Sequence, residues 1–83
     1  MFPAVRSDLE VLYCAGNKIE QLQLSANKNL KRLQCYNNRL HTLDISQQPQ
    51  LELLWCGINQ LSALDVSSCK KLTQLRCYMN AIG

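Results

Sequence analysis

Five side-chain columns return at every twenty-first position of this 83-residue chain, and that register limits the fold more than any other property of the sequence. Leu9, Leu30, Leu51 and Leu72 form one column, and Leu12, Leu33, Leu54 and Leu75 a second. Cys14, Cys35, Cys56 and Cys77 form the third, Asn17, Asn38, Asn59 and Asn80 the fourth, and Ile19, Leu40, Leu61 and Ile82 the fifth. The second half of the unit recurs as well, as Leu22-x-Leu24-Ser25, Leu43-Asp44-Ile45-Ser46 and Leu64-Asp65-Val66-Ser67. A unit this short cannot hide an apolar face alone, so successive units must stack to make a core. The register therefore calls for a solenoid.

Within each unit the segment L-x-x-L-x-C alternates near its end, which suits a short strand with Leu12 and Cys14 pointing inward and Tyr13 outward. Strands in register stack as a parallel ladder at about 4.7 to 4.9 Å per coil, so four of them make a rod about 15 to 20 Å long. The asparagine column follows each strand, where the chain turns and leaves backbone groups without ladder partners. An amide both donates and accepts, and can satisfy them from one coil to the next, so Asn17, Asn38, Asn59 and Asn80 read as structural. The Asp44-x-Ser46 and Asp65-x-Ser67 pairs read as second-turn devices that satisfy local backbone donors.

The whole motif, L-x-x-L-x-C-x-x-N-x-[LI]-x-x-L-[DQ]-[LIV]-S, resembles the leucine-rich repeat family, in particular its bacterial 21-residue class with a cysteine in the strand, as in the cysteine-ladder internalins. The resemblance runs from Leu9 to Ile82. It implies a mostly-β member of the α/β-type repeat class, a leucine-rich repeat solenoid of about three and a half to four coils. A short parallel β-sheet would lie on the concave face, with little or no α-helix. Residues 1–8 are expected to be a short lead-in without a cap, and residues 9–83 the repeat domain, with coils starting at Leu9, Leu30, Leu51 and Leu72. The chain stops at Gly83 in mid-coil, and uncapped coils expose a strand edge and core leucines. Either the two ends pair with other copies, giving a homo-oligomer, or the sequence is a piece of a longer repeat protein.

Five cysteines invite a metal or disulfide reading, which their spacing opposes. Structural zinc sites use closely spaced cysteine pairs that converge on one ion, whereas Cys14, Cys35, Cys56 and Cys77 would form a straight internal column. Parallel side-chain vectors fit the disulfide dihedral of roughly 90° poorly. These four are expected to be structural, as buried free thiols that fill the core as small hydrophobes. Cys69 lies in the second turn, where the other units carry Asn27 and Gln48, and is expected to be the most accessible thiol. No metal and no cofactor is expected.

The strand positions that are out of phase with the leucines carry four of the five aromatic residues, Tyr13, Tyr36, Trp55 and Tyr78. The resemblance places these variable positions on the concave sheet. Aromatic and arginine side chains are enriched in binding hot spots, so Tyr13, Arg32, Tyr36, Trp55, Arg76 and Tyr78 are the candidate partner-binding residues. The leading reading is a non-catalytic module that binds a protein ligand of unknown identity. The alternatives are a structural or self-associating fragment of a longer repeat protein, or a carbohydrate-binding adhesin module.

Other classes find little support in the composition. Nine basic against six acidic residues give a net charge of +3, dispersed along the chain, which is not the dense basic stripe of a nucleic-acid binder. Membrane insertion is not expected either, since the longest apolar run, Leu53 to Ile58, is far short of the roughly 20 residues a spanning helix needs. Met1 to Asp8 lacks the apolar core of a cleaved secretion signal, which points to a cytoplasmic protein or one exported by a signal-independent route. The only histidine, His41, falls on the turn after the second strand, and no catalytic arrangement of Ser, His, Asp or Cys is present, so no catalytic residue and no enzyme activity are expected.

Overall fold

The computed structural model describes residues 9–80; the lead-in of residues 1–8 and the column position Ile82 lie outside them. Each L-x-x-L-x-C segment forms one three-residue strand: β1 (Val11–Tyr13), β2 (Arg32–Gln34), β3 (Leu53–Trp55) and β4 (Gln74–Arg76). Every strand pairs in parallel with the next, in the order β1-β2-β3-β4, so that Leu12, Leu33, Leu54 and Leu75 stand opposite one another. Parallel neighbours need a long return connection, and the rest of each unit supplies it without forming a helix among the described residues. The fold is a mostly-β solenoid.

The pairing runs beyond the strands proper. The Cys14, Cys35 and Cys56 amides donate to the carbonyls of Gln34, Trp55 and Arg76 at 2.8 to 2.9 Å, and Gly16, Asn37 and Ile58 continue the same pattern two residues later. A turn must follow there, and the asparagine column holds it. Asn38 Oδ1 accepts from the amides of Asn17 (2.8 Å) and Ile19 (3.0 Å), while its Nδ2 donates to the carbonyls of Cys14 (3.1 Å) and Cys35 (2.9 Å). Asn59 repeats this with Leu40, Cys35 and Cys56, and Asn80 with Leu61, Cys56 and Cys77. Each amide thus ties its own coil to the one before. A buried backbone group left without such a partner costs about 1 to 3 kcal/mol.

The residue just before each ladder asparagine has a left-handed backbone: Gly16 (φ 73°), Asn37 (58°), Ile58 (54°) and Met79 (61°). Glycine and asparagine adopt this conformation readily, and a β-branched residue does so only under strain. Lys18 in the first coil is left-handed too.

Stacking buries Leu30, Leu33, Leu40, Leu51, Leu54 and Leu61 completely, together with Cys35 and Cys56. Burial comes from both neighbours, so the outer described coils are less covered. Leu12 and Cys77 are half-buried, and Leu75, expected to point inward, is 42% exposed because no described coil lies on its far side.

The second turn corrects one expectation. Cys69 is not the accessible thiol; it is buried, and its Sγ donates to the carbonyl of Ile45 at 3.6 Å. The cause is the backbone path. Two successive tight turns meet at this position in every coil, with Gln48 N–H donating to Ile45 O and Leu51 N–H to Gln48 O, and likewise around Asn27 and Cys69. Chain reversal on both sides turns the shared residue inward. Asn27 and Gln48 are accordingly buried as well, and Gln48 Nε2 donates to Leu24 O at 2.6 Å, a carbonyl of the preceding coil. Outside, Ser46 and Ser67 amides donate to Asp44 and Asp65 Oδ1 at 2.9 Å, and these bonds with the serines hold both carboxyls below their usual range.

All five thiols are free. Burial pushes the Cys56 thiol up to about 12, with Cys77 adding to the effect. Cys35 rises by burial and by the proximity of Cys56 and Cys14, while Cys14 rises by burial alone. Protonated thiols with no charge to stabilise are inert fillers of the core.

Candidate binding face on the sheet

With the leucines and cysteines committed to the inside, strand alternation sends the remaining strand side chains out from the sheet. Tyr13, Gln34, Trp55 and Arg76 occupy adjacent rungs of one outward column. Arg76 lies across Trp55, its guanidinium carbon 4.6 Å from the ring centroid. Such a cation over an indole face gains about 0.5 to 1 kcal/mol at an exposed site. It also holds two flexible side chains in one arrangement.

Tyr36, Gly57 and Tyr78 form the next column, one residue past the pairing that follows each strand. Gly57 is buried, and a Cβ placed there would sit 3.0 Å from the Tyr78 carbonyl oxygen and 3.2 Å from its ring. The absence of a side chain therefore lets the Tyr78 ring settle over the Gly57 backbone. Together Tyr36, Trp55, Gly57, Arg76 and Tyr78 line a pocket of about 250 Å³ on the sheet face. Trp55 Nε1 is buried and donates to no acceptor among the described residues.

Four of the six candidate residues, Tyr36, Trp55, Arg76 and Tyr78, thus meet around one pocket. Tyr13 and Arg32 are exposed on β1 and β2 and do not line it. One residue not among those candidates, Gly57, lines the same pocket, and two more adjoin it in the chain. Gly57 is the pocket floor, and Ile58 and Met79, both exposed, follow Gly57 and Tyr78 directly. Gly57 could have been singled out as the one small residue between two tyrosines in its column. His41 is exposed on the turn after β2, away from these groups in the sequence unit.

No family model and no curated protein matches the chain. A solved structure does: the functional domain of InlJ from Listeria monocytogenes, which includes a cysteine ladder, matches with a TM-score of 0.92 at 32% sequence identity. The match covers 96% of this chain and 18% of that one, so the chain spans less than a fifth of the protein it resembles. No helix among the described residues is long and apolar enough to cross a membrane. The 21-residue register, the in-register parallel strands with cysteines behind them, and this likeness across nearly the whole length make the chain a leucine-rich repeat of the cysteine-ladder class.

Proposed function

We propose that the chain is a non-catalytic protein-interaction module that takes a protein partner on the concave side of its sheet, through Tyr13, Arg32, Tyr36, Trp55, Arg76 and Tyr78. The observation that carries this reading is the pocket at Gly57, walled by two tyrosines and the Arg76-covered indole of Trp55. Large rigid side chains, already held together before a partner arrives, contribute most where they surround a water-excluding pocket. None of them serves the core, which closes behind them without their help. A carbohydrate adhesin draws less support from Trp55, since stacking on a sugar needs a free ring face and Arg76 covers one face of that indole.

The test begins with a partner recovered by affinity capture and then purified. Its dissociation constant should rise about a hundredfold or more when Tyr36 and Trp55 are both changed to alanine, given about 2 kcal/mol for each hot-spot aromatic. Circular dichroism should be unchanged, because neither residue is in the stacked core. An unaltered affinity would remove the function from this face.

A further inference from the structure

We infer that the partner segment taken by this face is acidic, an extended stretch of chain with carboxylates on both sides of one apolar side chain. This rests on the protein-binding reading above and adds the chemistry of what is bound.

Charge gives the first argument. The outward strand positions hold Arg32 and Arg76 and no carboxylate, and the turn that borders the tyrosine column carries Lys18 and Arg39, both exposed. On the opposite border Glu10 is matched by Lys31 at 3.7 Å, which leaves Glu52 there and Glu20 on the turn after Lys18 as the acids beside the sheet with no ion pair among the described residues. Arg32 and Arg76 themselves meet no carboxylate among the described residues. A cationic face of this kind repels basic partners and recruits acidic ones.

The second argument is the indole of Trp55. Its Nε1–H is removed from water and lacks an acceptor among the described residues, a condition buried polar groups rarely keep. Arg76 lies over the same ring. A carboxylate arriving at the pocket accepts from the Arg76 guanidinium, and the indole N–H becomes a second donor once the side chains that cover it part; charge-assisted bonds of this type are the strong ones.

The third is apolar. The pocket over Gly57 has room for a single large side chain. Ile58 and Met79, next in the chain after Gly57 and Tyr78, stay exposed in left-handed conformations that glycine or asparagine would fill with less strain. Folding does not favour an exposed isoleucine at φ 54°, and strain kept at an exposed position points to use. An aliphatic or aromatic side chain of the partner gains contact there, whereas a phosphodiester backbone or a sugar hydroxyl does not.

The chain has one tryptophan, so a single indole N–H resonance reports on Trp55. Four probes would be titrated into the full chain at low salt: an acetylated pentapeptide amide of four glutamates around a central phenylalanine, its glutamine counterpart, an oligothymidine and a chitotriose. The acidic peptide should shift the indole resonance and bind at least about tenfold tighter than the glutamine peptide, the scale expected of one charge-assisted contact. The difference should shrink as salt shortens the screening length from about 10 Å to about 3 Å. Arg76→Gln should bring the two peptides to similar affinity. Equal binding of both peptides by the unaltered chain overturns the acidic partner while leaving a protein-binding face in place. Absence of binding by the acidic peptide, or tighter binding of oligothymidine or chitotriose, overturns it as well. The protein-binding reading fails separately, through the capture experiment on the Tyr36 and Trp55 variant.

Discussion

Ile58 stands in a backbone conformation that its own side chain opposes. In the left-handed region the Cβ of an L-residue crowds the following carbonyl at a cost of roughly 1 to 2 kcal/mol, which asparagine largely avoids. Asn37 fills the equivalent position one coil earlier with nearly the same φ. Ile58→Asn should therefore raise stability by about 1 kcal/mol, read as a higher denaturant midpoint with an unchanged slope; a lower midpoint would mean that the half-exposed isoleucine packs better than its backbone suggests. The contrast between this position and the next one shows what the sequence makes legible. The asparagine column is visible because the ladder needs one particular amide, donating and accepting at fixed places, and no other side chain does both there. The position before it needs only a left-handed backbone. Glycine, asparagine, isoleucine and methionine share no chemistry, so Gly16, Asn37, Ile58 and Met79 do not look like a column until their φ angles are seen.

The strand and the two turns of a coil differ in how far their side chains announce their direction. Alternation in the strands separates leucine and cysteine from tyrosine, tryptophan and arginine, and the outward set follows from it. The second turn has no such period. There Asn27 and Gln48 are surface residues by type and place their column, Cys69 included, outside, yet back-to-back tight turns carry all three inside, where Gln48 and Cys69 each donate to a carbonyl 24 positions earlier. The polar company of Cys69 in its column misplaces it for that reason. Iodoacetamide applied to the folded chain at neutral pH, followed by mass spectrometry of the peptides, should label Cys77 first, the one half-buried thiol, and spare Cys14, Cys35, Cys56 and Cys69. Early labelling of Cys69 would contradict the inward second turn. The pocket on the sheet was only partly legible: the tyrosines and tryptophan stand out by type, but its floor is a glycine, whose contribution is the ring of Tyr78 that it admits.

Across the whole molecule, the cysteine column links folding to alkaline pH. Thiols of Cys35 and Cys56 are held above their ordinary range by burial, while in the unfolded chain they titrate near about 8.5. Below that pH both states are protonated and the stability is fully present. Above it the unfolded state loses protons first, and stability falls by up to about 1.4 kcal/mol per pH unit for each such thiol. Urea unfolding at a series of pH values should show this decline, and Cys35→Ala should make it shallower even though the variant starts from lower stability. An unchanged slope would mean that Cys35 ionises in the folded chain. The asparagine bonds carry a consequence of another kind. Each Nδ2 reaches a carbonyl three residues back and one twenty-four back, the same in coil after coil. Duplicating one whole unit gives the newcomer ready-made neighbours above and below, while deleting a single residue between Asn38 and Asn59 misaligns donors with acceptors at that junction. A chain built this way changes length in whole coils, and copying one stretch of its gene is enough to lengthen the surface it offers.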